Sequence, residues 1–263
     1  MKGELVSMNL PDTSKWKERW HTDFKEYQDV LATAEKDCDD LKKMNRLLLP
    51  LTQTMTTLLK SPYFFDENRN TVSRYSQSLV FTSFLELFRN IHQTVFLSGC
   101  GLYKSAYHNT RYALEFIIQS YYIDTEYPDG DFLDRIDVLH DIENKRGFRG
   151  RALVNKLELA STVKEEINNE YEKLHKKVHS THKQFKYTAY HFMDDKYHSV
   201  YVDYGEVSDI YKLLVRVVDF FYHIFLTRFP ELQKSLMANE EFTDTIEIVD
   251  MPLLFDILLG RKE

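Results

Sequence analysis

A chain of 263 residues, 43% hydrophobic and 29% charged, sits at the upper end of what a single core organises, so one large domain or one domain with a decorating arm is expected. Its net charge of -7, from 34 Lys plus Arg against 41 Asp plus Glu, excludes a global basic field able to hold a nucleic acid by itself; any anion site must be local. Cys38 and Cys100 are too few and too far apart for a disulfide framework or a cysteine zinc site, which fits a reducing compartment and small core residues.

In chain order, the opening "MKGELVSMNLPDTSKW" lacks the apolar run of a signal peptide. From Ser14 to Leu49, Trp16, Trp20, Tyr27, Val30, Leu31, Ala34, Cys38 and Leu41 recur at helical spacing among charges, which predicts one long amphipathic helix ended by Pro50. Thr52 to Lys60 reads as a shorter helix stopped by Ser61-Pro62, and residues 1–60 as an arm beside a main bundle over 61–263, or as part of one continuous domain with it. Ser73 to Ser98 resumes the helical pattern and breaks at Gly99 to Gly101, "GCG". Leu102 to Asp124 is the next helix, closed by the turn cluster "EYPDGD", and Phe132 to Asn144 follows. "KRGFRGR", Lys145 to Arg151, is a basic, glycine-containing loop. Thr162 with Glu165 forms a capping-box pattern heading a helix that reaches about His182.

Tyr187 to Gly205, aromatic and polar, fits a loop or a short hairpin. Val207 to Phe229 is a strongly apolar helix ended by Pro230, with a short helix from Glu231 to Asn239 and an apolar tail, "IEIVDMPLLFDILLG", expected to dock on the body. Asp209, Lys212, Arg216, Asp219, His223 and Arg228 interrupt that apolar helix, and a membrane span needs about 20 mostly apolar residues, so a soluble, cytoplasmic protein without a membrane segment is expected. The fold class is all-α: a bundle of about seven helices with a long amino-terminal helix and almost no strand signal.

Residues at i, i+4, i+7 and i+11 of a helix share a stripe about 60° wide. Lys104, His108, Arg111 and Glu115 occupy such a stripe on a helix that is apolar over most of its remainder, and Lys212, Arg216, Asp219 and His223 repeat the spacing on another. His175, His179 and His182, with Lys186 fourth, flank the apolar seam of a third helix. Each stripe alone is what any amphipathic helix presents to water, and Arg111 with Glu115 is an ordinary i, i+4 pair. Narrowness favours more: a helix apolar around most of its circumference is central, and a charge buried there must be paired or functional. Two such stripes facing each other would make an Arg, Lys and His pocket suited to phosphate, a nucleotide or an RNA backbone.

A metal reading stands beside this one. His175 and His179 have the i, i+4 spacing that lets two imidazoles share an ion, and Glu172-x-x-His175 has the form used by di-iron bundles, but Asp137-x-x-His140 is the only near relative of a second copy. Nucleophilic triads, phosphate-cradling glycine loops and dinucleotide fingerprints are absent, so no cofactor and no resident metal is expected.

"GLYKSAYHNTRYALEFIIQSYYID", Gly101 to Asp124, followed by "YEKLHKKVHS", Tyr171 to Ser180, resembles a widespread group of uncharacterised prokaryotic all-helical proteins with an Arg-x-x-x-Glu pair and a Val-His step; the matching residues are Arg111, Glu115, Tyr171, His175 and His179. That group is similar in architecture to the HEPN superfamily, and the resemblance implies dimeric, metal-independent ribonucleases or toxins in which Arg holds the scissile phosphate and His moves protons. The HEPN signature, Arg and a polar residue and then His, is met only in part. "RIDVLH", Arg135 to His140, has the spacing but Ile at the polar position, and "RNIH", Arg89 to His92, has Asn but too short a gap.

The resulting expectation is a homodimeric HEPN-like protein that cleaves RNA or responds to a nucleotide. Arg111, Glu115 and His179 are its catalytic candidates, and Lys104, His108, His175, His182, Arg216 and His223 its ligand-binding candidates. A non-enzymatic homo-oligomeric interaction module and a His-ligated metal protein are the alternatives.

Overall fold

A computed structural model describes residues 25, 28–29, 31–61, 64–65, 72–143, 145–179, 202–249 and 251–259. His182, Lys186 and most of the stretch from Tyr187 to Gly205 lie outside them, and so does the amino-terminal half of the expected first helix. Among the described residues there is no strand, and twelve α-helices are found where about seven were expected: α1 (Asp39–Arg46), α2 (Leu48–Lys60), α3 (Ser73–Ser76), α4 (Leu79–Gly99), α5 (Tyr103–Glu126), α6 (Phe132–Glu143), α7 (Gly150–Val154), α8 (Ser161–His179), α9 (Tyr204–Arg228), α10 (Leu232–Met237), α11 (Glu240–Ile248) and α12 (Pro252–Leu258). The excess has two sources: a break inside the segment read as one helix from Ser73 to Ser98, and short helices, α7, α11 and α12, in stretches read as a loop or an apolar tail.

Cys38 is extended at φ -107°, ψ 105°, which starts α1 afresh. Pro50 ends nothing: it is the third residue of α2, in the first turn, where an amide hydrogen has no intrahelical partner to lose. Before Pro62 the chain turns extended at Ser61, ψ 132°, and α2 stops as expected. Ser78 splits the expected Ser73 to Ser98 helix. Extended at ψ 128°, it accepts from the Phe81 amide as the cap of α4 and donates to the carboxylate of Asp124 on α5. α8 begins at Ser161, so Thr162 lies in its first turn rather than at its cap.

α4 and α5 form an antiparallel hairpin, turned at Gly101, whose φ of 72° is open to glycine and strained for other residues. Asn109 holds the pair together, donating to the Asn90 carbonyl at 2.7 Å and the Thr94 hydroxyl at 2.8 Å. α9 runs through the centre. Leu214, Val217, Phe220, Phe221, Ile224 and Phe225 are fully buried around several of its sides, against α1, α4, α5 and α12. Leu41, Met44, Leu47, Leu51 and Leu58 join the same core, so α1 and α2 share it with the bundle. The tail docks as expected: Leu253, Leu254 and Leu258 of α12 are buried, and both cysteines are core residues. No helix among the described residues is long and apolar enough to cross a membrane.

Two buried carboxylates fasten this arrangement. Asp124, with no exposure, accepts from the amides of Leu79 at 3.0 Å and Val80 at 3.1 Å and pairs with Arg135 at 3.0 Å. Asp219 accepts from the amides of Leu253 at 3.3 Å and Leu254 at 2.9 Å, closing the amino-terminal end of α12 onto α9. Burial pushes its pKa up to about 6, against the pull of the two amides and Arg216.

Candidate functional site

The Lys104, His108, Arg111, Glu115 stripe lies on α5 where α8 packs against it. Apolar residues anchor both helices: Ala106, Ala113, Leu114 and Ile117 of α5 and Val163, Ile167, Leu174 and Val178 of α8 are buried. The polar edges of the two helices are thereby brought face to face. Arg111 is the hub. Its Nε and Nη2 donate to Glu115 Oε1 at 3.2 Å and 3.0 Å, and Nη2 also donates to Tyr171 Oη at 2.7 Å. Tyr171 in turn donates to Glu115, and its ring lies 5.0 Å from the Arg111 guanidinium carbon. The remaining nitrogen, Nη1, stands 3.4 Å from His179 Nε2. His175 and His179 have ring centroids 4.4 Å apart.

The electrostatics follow from this crowding. Arg111 and Glu115 have side chains only 19% and 25% exposed. Burial lowers the guanidinium pKa, but Glu115 and Tyr171 outweigh it, and the net direction is up. Burial, then the hydrogen bond to Glu115, pushes the Tyr171 phenol up to about 12, so it stays protonated. His108 is held below its ordinary value by burial, then by Lys104, Arg111 and His179; His175 by burial, then by His179 and Arg111. At neutral pH both imidazoles are therefore predominantly neutral.

Of the candidates read from the sequence, Lys104, His108, Arg111, Glu115, His175 and His179 belong to these two facing edges. Arg216 is not brought to them. It pairs with Glu166 of α8 and, at 2.6 Å, with Asp219, and it lines a groove with Glu170, Lys173 and Pro252. Glu166 and His175 are nine residues apart, which places them about 180° apart around α8, so Arg216 and Arg111 engage opposite edges of one helix. His223, half-buried, lies two turns along the same α9 stripe from Arg216. Also between α8 and α9, Lys177 binds Glu206 at 3.0 Å and Asp209 at 2.7 Å and lies over the Tyr107 ring, so the α8 to α9 edge is an ion-pair seam.

The arginines of both partial HEPN signatures are engaged by neighbouring groups. Arg135 is 3% exposed and spends its donors on Asp124 and on the carbonyls of Gln77, Tyr127 and Pro128. Arg89 is an exposed partner of Glu86, and Asn90 is buried with its amide on the Glu86 carbonyl. For the metal reading, Glu172 is engaged by Arg151 and Lys176, and among the described residues no three His, Cys, Asp or Glu groups stand together to hold an ion.

Tyr171, one of the residues that carry the resemblance but not named among the catalytic or ligand-binding candidates, ties Arg111 and Glu115 across the helix gap. Its signal was the stripe itself: Tyr171, His175 and His179 are spaced i, i+4, i+8, one turn further back on the same edge. Comparison with family models, with curated proteins and with solved structures finds nothing that matches this chain.

Proposed function

We propose that the facing edges of α5 and α8 hold a phosphodiester of RNA and that the protein is a metal-independent, HEPN-like ribonuclease. The observation that carries this reading is the approach of Arg111 Nη1 to His179 Nε2 at 3.4 Å, across two helices. Glu115 and Tyr171 fix the Nε and Nη2 side of the guanidinium, which leaves the Nη1 edge to donate to a phosphate oxygen. Such pre-organised charge stabilises the equatorial oxygens as negative charge builds on them.

The proposed reaction is attack by a ribose 2′-hydroxyl on the adjacent phosphorus. A neutral imidazole takes the hydroxyl proton, the O2′ to P bond forms, the P to O5′ bond breaks, and a protonated imidazole gives its proton to the departing O5′. Products are a 2′,3′-cyclic phosphate and a 5′-hydroxyl, with no net redox change. His179 stands within hydrogen-bonding reach of Arg111, and the lowered pKa of His175 and His108 suits either to the proton-accepting role. Incubation of structured RNA with wild type, Arg111→Ala and His179→Ala, all with chelator present, tests the proposal. Cleavage by wild type alone supports it, and equal cleavage by all three removes these residues from the mechanism.

A second reading, a homo-oligomeric interaction module, is favoured by the exposed side chains of Leu85 and Phe96 on α4 and Tyr112 on α5, at 54%, 47% and 44%. Light scattering of Leu85→Ser with Phe96→Ser tests it; a mass unchanged from wild type argues against that face as an assembly surface.

A further inference from the structure

We propose that the basic loop "KRGFRGR", Lys145 to Arg151, is a second anion subsite continuous with the Arg111 site, so that the ligand is a single-stranded polynucleotide rather than a mononucleotide. This rests on the phosphate reading of Arg111.

The contact that joins the two lies at Tyr171. Gly150 has φ 51°, and a Cβ built there would stand 2.7 Å from Tyr171 Cε1 and 3.1 Å from Tyr171 Oη. That hydroxyl accepts from Arg111 Nη2 at 2.7 Å. One phenol therefore touches the backbone of Gly150, where the basic segment enters α7, and the guanidinium of the site, and only glycine satisfies both the left-handed turn and the closeness of the ring.

Cations continue outward from this junction. Arg151, the next residue, pairs with Glu172, and Lys176 reaches the same carboxylate at 2.7 Å, so one negative charge faces two positive ones. Lys145 and Arg149 add exposed side chains on the loop itself. Lys156 lies 3.7 Å from the Phe148 ring centroid and completes the basic rim. From Tyr171 to His179 the edge of α8 runs eight residues, about 12 Å at 1.5 Å per residue. Phosphates of one strand follow each other at about 3.4 Å along a helix axis and farther apart when extended, so the combined face spans more than one of them. Next to Arg111 in α5, Tyr112 is exposed and stacks on Phe116 at 6.1 Å and 21°, an aromatic surface of the kind on which bases stack.

The test uses a fluorescent 2′-O-methyl oligouridylate twelve-mer, which cannot be cleaved by 2′-hydroxyl attack, and uridine monophosphate. Affinities of wild type, Lys145→Ser, Lys145→Ser with Arg149→Ser, and Arg111→Ala are measured across a salt series. Each phosphate contact on a single strand contributes roughly 0.7 to the slope of log affinity against log salt. The expected result is a slope shallower by roughly 0.7 for the single loop variant and roughly 1.4 for the double, with monophosphate binding unchanged in both. Loop variants that keep the wild-type slope while Arg111→Ala loses binding overturn the second subsite and leave the phosphate reading standing. Wild type that binds neither probe overturns both. The lysine variant keeps the result readable should the double variant fold poorly, because Lys145 is exposed.

Discussion

Replacing Arg135 with Met separates the buried ion pair from the chemistry. The substitution keeps side-chain length and removes the guanidinium bonds to Asp124 at 3.0 Å, the Gln77 carbonyl at 2.6 Å, the Pro128 carbonyl at 2.8 Å and the Tyr127 carbonyl at 3.2 Å. Asp124, with no exposure, is left charged without its cation. Breaking one side of a buried pair costs about 3 to 5 kcal/mol, which at roughly 2 to 4 °C per kcal/mol for a large domain lowers Tm by about 6 to 20 °C. Native stabilities of about 5 to 15 kcal/mol leave the fold populated at 25 °C. Adding Asp124→Asn to Arg135→Met should cost less than the sum of the single changes, because the second no longer strands a charge. Thermal melts and RNA cleavage by the folded fraction check this together. A Tm within measurement error of wild type combined with lost cleavage would refute the structural role and return "RIDVLH" to the mechanism.

Asp219→Asn should flatten the pH dependence of stability. The folded-state pKa of Asp219 is raised to about 6 from 3.8, so the folded protein holds a proton that the unfolded chain has released, and wild-type stability falls as pH rises from about 4 to about 6. The span is on the order of 3 kcal/mol, and urea midpoints at pH 4.5 and 7 for wild type and Asp219→Asn measure it; equal slopes contradict the assignment. Gly150→Ala, strained at φ 51° and driven into the Tyr171 ring, should destabilise by about 1 to 3 kcal/mol by denaturant unfolding. Tyr171→Phe removes the hydroxyl that binds Arg111 and Glu115; it should cost about 1.5 to 3 kcal/mol and weaken uridine monophosphate binding, both read by calorimetry.

Helical periodicity made the fold class and the long central elements legible. α5 and α9 begin and end within a few residues of where spacing, Pro230 and the Pro-Asp-Gly turn put them. What periodicity could not show were breaks caused by distant partners. Ser78 leaves the helical pattern because Asp124, 46 residues away, receives its hydroxyl and the amides of the new helix start, and nothing local announces that. Pro50 misled because a proline reads the same whether it ends a helix or sits in the first turn of the next. The same boundary applies to the site. Spacing puts Arg111 with His108 and Glu115, and His175 with His179, but stripes carry no record of which helix each one faces. α8 faces α5 with one edge and α9 with the other, so Arg216 meets Glu166 on the opposite edge from Arg111.

The central claim is that Arg111 and the α8 imidazoles receive one phosphate. Imidazole nitrogen NMR of the full chain, titrated with uridine 3′-monophosphate at about pH 6.5, near the ordinary imidazole pKa, measures it most directly. Saturable shifts of the His179 and His175 resonances that vanish in Arg111→Ala are the expected result. Resonances that stay still in wild type, or that move equally in Arg111→Ala, would contradict the claim.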